Sequence, residues 1–496
     1  MSVNDSATGD APIAKLIIRG KIINDNLIRV GGRGGDLEFS VPDIRHYIHE
    51  LPMGNPARLV DLYALSFDEI LDYLEELGNR LDVDANPIWA RACQLSHLVA
   101  PTTPSIVNAS YRRARALFSR AAILENVERN IGVKYLEGWV EEKMLTGATV
   151  GIRCFGSRCL HIVAGNHPTV SAASIIRNAV LRSDAILKTP SNDPFTAAAI
   201  AETMCEMAPE HPITRHLAVA YWKGGDLEVE EQIYQPHHVE KIVAWGGLAA
   251  MKHVTRYIQP GLELISLDPK RSASIVGREA FSSPDSLREA AVRIASDVGA
   301  MNQTACSNAR VIYVMSGTDA EGIRRLEALG QQVYDEMLAL PEALSTKPKC
   351  FDRDLKAHLD AIRLQDDWYL VLGGEDGEGA VVVSRLPEAV EFANQLADRT
   401  ANLVPVDTLE EVMAAMNAYT QTVGVYPETL KAQLRDILPL HGAQRIVSLG
   451  YAVAGSFSTP QDGIEPMRRM GKWITSETFA PESSSPPWAG LGLHGA

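Results

Sequence analysis

Cysteine is scarce in this chain: Cys93, Cys154, Cys159, Cys205, Cys306 and Cys350 are the only six in 496 residues. The opening "MSVNDSATGDAP" has neither a positive leader nor an apolar core. The sequence therefore predicts no signal peptide and no disulfide framework. Zinc-site spacing is missing as well, because Cys154 and Cys159 in "CFGSRC" are answered by no second Cys or His pair. His237 and His238 are adjacent and would point to different sides of either kind of element. No run of about 20 uninterrupted apolar residues is present, so no membrane span is expected. A basic excess is lacking too: 47 Lys and Arg face 62 Asp and Glu, for a formal charge of −15. That sign opposes non-specific binding to nucleic acid or anionic membranes, while leaving room for a locally basic pocket. There is no internal repeat. The expectation from these absences is a reduced, cytoplasmic protein with no metal site.

What is present is a large supply of core material, 46% hydrophobic and 22% charged, in a chain long enough for two to four domains. Residues 15–41 read as short strands broken by Asn and Gly, the pattern of a small antiparallel sheet. From about 43 to 130 the pattern is helical; in "SFDEILDYLEELGNRL", Ile70, Leu71, Tyr73, Leu74 and Leu77 recur at helix spacing. Strands and helices then alternate. "RCLHIVA", "AILK", "HLAVAYW" and "KIVAW" read as strands, each followed by a turn and a helix, with "LELIS" and "SASIV" beyond. Such alternation predicts a parallel sheet covered by helices on both faces. Ligands of these sheets bind at the carboxyl ends of the strands, so the turns after Ala164, Lys188 and Trp245 should share one rim. A second α/β block begins near 283, where Ser283-Pro284 reads as an N-cap followed by proline at the first helical position.

Cys306 stands apart from the other thiols. It lies in "NQTACSNARVIYV" (302–314), a polar loop between a helix ending at Gly299 and the strand "ARVIYV". Buried cysteines are usually inert, whereas a polar loop at a domain surface suits a reactive one.

The order of motifs resembles the aldehyde dehydrogenase superfamily, and most closely its acyl-CoA reductase branch, typified by the reductase subunit of the bacterial bioluminescence fatty-acid reductase complex. "VAGNHP" (163–168) is similar to the superfamily's Pro-Trp-Asn-x-Pro turn, and "AILKTPSNDP" (185–194) to its Lys-Pro-Ser-Glu turn. "VAWGG" (243–247) falls at the Phe-Thr-Gly-Ser loop, and "NQTACSNAR" at the Gly-Gln-x-Cys nucleophile. "NLVPVDTLEEV", "QTVGVYPE", "AQRIVSLG" and "PQDGIEPMRRMGKWITSE" resemble the reductase branch in particular. Each motif alone is weak; four in order, over roughly residues 15–475, are not.

The resemblance implies that Cys306 attacks an acyl thioester, of CoA or of another carrier, and that hydride then reduces the bound acyl group to an aldehyde. It makes the Asn166 amide, with the Cys306 backbone N–H, the oxyanion hole. It makes Lys188, Thr189, Pro190, Ser191, Trp245, Gly246 and Gly247 the cofactor-binding residues. Three departures refine this. Where the superfamily has a water-activating Glu, near 266–270, this chain has Ser266 and Asp268, with Glu263 slightly too early. A hydrolytic dehydrogenase needs that base, and a reductase does not. The ribose-gripping acid is replaced by Ser191 or Asn192 after Lys188, which points to NADPH. The Glu-x-Phe-Gly-Pro segment is replaced by "LADRTANLVPV", where Asp398 is a loose substitute.

The expected architecture is α/β and aldehyde-dehydrogenase-like, with a Rossmann-type parallel sheet and an α/β catalytic domain. Its divisions are an N-terminal extension of small β-sheet and helices (1–110), a dinucleotide-binding domain (111–280) with a candidate oligomerisation hairpin near 147–159, a catalytic domain (281–450), and a C-terminal segment (451–496) that returns to the first domain or an oligomer interface and ends in a mobile tail. A homo-oligomer is expected, with an acyl-transferring or aldehyde-consuming partner also compatible. Three readings stay open beside the reductase. They are an NAD(P)-dependent aldehyde dehydrogenase working oxidatively, a Cys-dependent acyltransferase or thioesterase, and a silent subunit of a larger assembly.

Overall fold

The computed structural model describes residues 11–31, 37–145, 147–455 and 457–478. The tail expected to be mobile lies outside them, as does most of the "GGRGGD" turn.

Two seven-stranded sheets dominate. The first runs, in spatial order, Glu263–Leu267, Lys241–Trp245, Arg158–Ile162, Asp184–Lys188, Leu217–Ala220, Leu16–Ile18 and Lys21–Ile23. Its first five strands are mutually parallel. Leu16–Ile18 joins antiparallel to Leu217–Ala220, so the N-terminal strands extend this sheet instead of building their own. Only Leu27–Gly31 and Glu38–Pro42 form a separate two-stranded ribbon. The second sheet runs Tyr369–Gly373, Ala380–Ser384, Thr400–Pro405, Ala309–Val314, Arg271–Val276, Thr420–Tyr426 and Arg445–Ser448, parallel except for the first pair. The α/β class read from the sequence is the class the chain adopts.

The local signals explain these elements. Ser66 and Glu69 make a reciprocal capping box at the start of the helix Phe67–Arg80. That helix buries Ile70, Leu71, Leu74 and Leu77 completely, on one face. Ser283 caps Pro284–Gly299, accepting from the Ser286 N–H at 3.1 Å. Strands buried on both faces read as nearly continuous apolar runs, as in Leu217–Ala220 and Ala380–Ser384.

Two expectations need correcting. The strand Arg271–Val276, assigned on the first side of the 280 boundary, is central to the second sheet, parallel to Ala309–Val314 and Thr420–Tyr426. Only the three residues Asp268–Lys270 separate it from the edge strand of the first sheet, so spacing alone did not mark the crossing. The hairpin near 147–159 is also displaced. Thr149–Phe155 pairs with Val140–Lys143 before it, while Arg158–Ile162 enters the first sheet. Lys472–Thr478 pairs along the other side of Thr149–Phe155, completing a three-stranded antiparallel sheet.

The short crossing has a geometric result. The chain leaves the carboxyl end of one parallel sheet and enters the amino end of the next. The carboxyl rim carrying Ile162, Lys188, Trp245 and Leu267 therefore faces the amino rim carrying Arg271, Ala309 and Thr420.

Candidate active site

Cys306 lies on the loop three residues before Ala309, on that amino rim, and its surface is accessible. The polar residues around it hold the loop. Met301, Asn302 and Gln303 are all left-handed, at φ 53°, 51° and 62°. Asn tolerates this region, whereas Met and Gln enter it at a cost of roughly 1–2 kcal/mol each. Their side chains and neighbours fix the path. The Asn302 Oδ1 accepts from the Thr346 N–H at 2.9 Å. Gln303 donates to the carbonyls of Ala309 (2.8 Å) and Thr400 (2.9 Å) and accepts from the Thr400 N–H (2.9 Å). Asn308 accepts from the Ala305 N–H at 3.0 Å and donates to the carbonyls of Asp297 and Ala300. Beyond the loop, Ser272 donates to the Cys306 carbonyl at 2.8 Å and accepts from the Thr422 N–H at 3.1 Å.

The sulfur itself meets the side chain of Gln421, whose Nε2 donates at 3.1 Å and also donates to Asp462 Oδ1. The sulfur keeps exposed surface while protein surrounds most of it. Burial and the Asp462 carboxylate therefore push the thiol up, against the pull of the Gln421 amide and the Arg310 guanidinium. Arg310 is held by the carbonyls of Leu396 and Asn308, each at 3.0 Å, and burial lowers it to about 10, so it remains a cation. Elsewhere, burial pushes Cys154 to about 11 and Cys159 to about 12, in keeping with inert thiols.

Asn166 stands on the facing rim, on the turn after Arg158–Ile162. Its Nδ2 donates to the Thr304 carbonyl at 3.4 Å, and its Oδ1 is buried without a partner. His167 beside it caps the helix Pro168–Val180 through the Thr169 N–H, and burial lowers it to about 4. A recess with about 370 Å³ of free space, open mouth included, adjoins Asn166 and is lined by Ile106, Val107, Met301 and Thr304 among others.

Lys188 ends one strand of the same rim, with Thr189, Pro190 and Ser191 after it, and Trp245 ends another, with Gly246 and Gly247 after it; the strand leading to Asn166 runs between them. Lys188 is 8% exposed, with its ammonium 5.4 Å from the centre of the Trp222 ring and no ion-pair partner among the described residues. Burial lowers it to about 8, with Glu230 opposing. Thr189 is spent on the sheet, its N–H reaching the Ala220 carbonyl at 2.9 Å. Asn192 turns inward to the Gly165 carbonyl at 3.1 Å. Gly247 caps the helix Leu248–Thr255, and a Cβ added there would meet nothing within 4 Å. Trp245 Nε1 is buried without a partner. An unpaired cation, an orphaned N–H and an open glycine at a helix N-terminus fit an anionic nucleotide.

Glu263 is not placed to act as a base for water. Glu263 is at the far end of its strand, about 13 Å of extended chain from Leu267, and is tied to Lys241 (3.1 Å) and Arg469 (2.8 Å). Ser266 donates to Asp268, which is exposed. Asp398 accepts from the Asp352 N–H at 2.9 Å. Among the described residues, no group of three or more His, Cys, Asp or Glu converges as metal ligands would, and no helix is long and apolar enough to cross a membrane.

Sequence reasoning missed Gln421, Asp462 and Arg310. Only Asp462 left a local signal, since Asp-Gly is the preferred pair for a tight hairpin turn.

The sequence profile of the acyl-CoA reductase (LuxC) family matches residues 62–473. A long-chain acyl-protein thioester reductase of Photorhabdus laumondii subsp. laumondii is 30% identical over 375 residues, covering 73% of this chain and 72% of that protein. The protein of the same description from Photobacterium phosphoreum is 29% identical over 363 residues, covering 73% and 70%. Among solved structures, an NADP-dependent glyceraldehyde-3-phosphate dehydrogenase from Bacillus halodurans C-125, complexed with NADP, superposes with a TM-score of 0.73 at 12% identity, over 95% of this chain and 100% of that one. An indole-3-acetaldehyde dehydrogenase complexed with NAD+ gives 0.72 at 14% identity, over 96% and 98%. The fold is that of the aldehyde dehydrogenases.

Proposed function

Since the chain belongs to the acyl-CoA reductase (LuxC) family, we propose that it reduces a long-chain fatty acyl thioester to the aldehyde, with the acyl group carried on Cys306. The observation that supports this most is an accessible thiol at the junction of the two rims, contacted by an amide donor at 3.1 Å. The Cys306 sulfur bonds to the thioester carbon, the carbon–sulfur bond to the carrier breaks, and the thiol proton passes to the departing sulfur. Nicotinamide, when bound, supplies the hydride. Collapse of the resulting thiohemiacetal frees the aldehyde and returns the sulfur to Cys306. Asn166 Nδ2 and the Cys306 N–H serve as donors to the carbonyl oxygen in both halves.

Two features favour reduction over hydrolysis and NADPH over NADH. Glu263 does not stand where it could activate water, so the acyl group persists for the hydride. Lys188 lacks an ion-pair partner, and no acid at Ser191 or Asn192 repels a 2′-phosphate. Either CoA or a protein thiol can be the carrier. The exposed thiol suits a reducing, cytoplasmic setting. Lys472–Thr478 is the outer strand of its sheet, with Ile474 41% exposed, and is the edge we assign to a homo-oligomer.

The test is intact-protein mass spectrometry after exposure to acyl-CoAs of several chain lengths without nicotinamide. One acyl adduct per chain is expected, lost in Cys306→Ala and retained in Cys350→Ala, the other exposed thiol. Adduct retention in Cys306→Ala would assign the nucleophile elsewhere.

A further inference from the structure

Gln421 is 115 positions from Cys306 in sequence, yet its amide is the polar side-chain group in contact with the sulfur. Both N–H bonds of that nitrogen are used: one toward Cys306 Sγ, the other toward Asp462 Oδ1. The amide oxygen is buried with no partner. This arrangement leaves one group unsatisfied, so something must hold it against the alternative. With the amide turned over, Oε1 would face the thiol, where it could accept from S–H, and would also face the Asp462 carboxylate, where two acceptors would repel. Asp462 therefore decides which end of the amide the sulfur sees.

The placement of Asp462 is itself built. Gln461 and Ile464 exchange backbone hydrogen bonds at 2.8 and 2.9 Å around Asp462 and Gly463, both left-handed at φ 52° and 76°. That is a two-residue hairpin turn with its preferred Asp-Gly pair. Gln461 in turn accepts from the buried Arg177 at 2.6 Å, anchoring the turn to the helix Pro168–Val180 behind Asn166. An Asp at such a turn needs no further role, but the contact with Gln421 gives it one.

We propose that Gln421 is a catalytic residue, donating a hydrogen bond to the Cys306 thiolate, and that Asp462 is the positioning residue that fixes its amide with nitrogen toward sulfur. The proposal rests on Cys306 being the nucleophile. The amide acts when the S–H proton has left for the departing thiol, because an N–H donor stabilises thiolate over thiol. It acts again when Cys306 departs from the thiohemiacetal as a thiolate. Asp462 brings an opposing effect, since its negative charge disfavours the thiolate; Arg310 and Arg445 are the cations facing the same sulfur.

These opposed effects give a test that a purely structural role would not pass. The readout is the pH dependence of iodoacetamide alkylation at Cys306, followed on its own peptide so that exposed Cys350 does not interfere. It requires neither acyl substrate nor nicotinamide, so its failure is distinct from failure of the reductase reading. Gln421→Ala and the size-matched Gln421→Met should each raise the thiol pKa by about one unit, a tenfold loss of alkylation rate at pH 7. Asp462→Asn and Asp462→Gly both remove the charge and both tolerate the left-handed backbone, but only Asn keeps an oxygen to accept from Gln421. The Asn variant should therefore have the lower thiol pKa of the two, and below wild type. Equal profiles for Asn and Gly would overturn the positioning role. Unchanged profiles in both Gln421 variants would overturn the catalytic one.

Discussion

The side-chain amide of Asn166 donates to the backbone carbonyl of Thr304, linking the turn that ends one sheet to the loop that opens the other. At 3.4 Å the bond is long, so the same N–H can be redirected at small cost to a substrate oxygen. Asn166→Ala should slow turnover by about 100-fold, the size of one oxyanion donor. Asn166→Asp should be worse, because it substitutes an acceptor and a negative charge. Steady-state kcat with a saturating acyl-CoA checks both, and near-normal turnover in the Ala variant would leave Asn166 only its role in the turn.

Placing a base where the first sheet ends should convert the enzyme into a leaky hydrolase. Ser266→Glu puts a carboxylate near the carboxyl end of the strand Glu263–Leu267, just before the crossing to Arg271. Free fatty acid released from acyl-CoA without any nicotinamide should rise at least tenfold over wild type. Aldehyde yield per cofactor oxidised should fall in parallel. Fatty acid release equal to wild type would mean that the missing glutamate is not what protects the acyl group.

Cofactor choice should depend on pH with a definite sign. Lys188 titrates at about 8 in the cofactor-free protein, so it is cationic below that value and neutral above it. The preference for NADPH over NADH in kcat/KM should be full at pH 7 and decline as pH rises through about 8. Lys188→Ala should weaken NADPH more than NADH and abolish this pH dependence. A wild type preferring NADH, with Lys188→Ala losing both cofactors equally, would refute the assignment.

Gly247 offers a probe that spares the fold. Its backbone, φ −73° and ψ 168°, is open to any residue, and an added Cβ meets nothing within 4 Å. Gly247→Ala should leave the melting temperature unchanged but raise KM for NADPH several-fold, if a pyrophosphate approaches the start of Leu248–Thr255. A KM equal to wild type would remove Gly247 from the cofactor site.

The alternating strands and helices of 158–255, and the Ser283-capped helix beyond them, were legible because each element carries its own period and its own stop signal. What escaped was any property that depends on a distant partner. Thr149–Phe155 looks equally able to pair forward or back, and the choice is made by Lys472–Thr478. Arg271–Val276 has the apolar pattern of either sheet, and only its neighbours assign it. Cys306 could be singled out by its polar loop, and the motif order named its chemistry. The structure adds that this polar company mostly holds backbone, while the group in contact with the sulfur comes from "QTVGVY", whose local pattern says only strand.

The pairing of Lys472–Thr478 with Thr149–Phe155 also bears on synthesis. These strands meet only after about three hundred intervening residues have been made, which takes roughly 15–60 s at typical elongation rates. Asp462 and Gln461 arrive in the same late stretch. Between the synthesis of Cys306 and that of Asp462, 156 residues later, the nascent chain carries the thiol without the turn beside its amide neighbour, and one strand edge stays open. A chain broken off before this stretch lacks both the turn beside Gln421 and the strand that completes the three-stranded sheet.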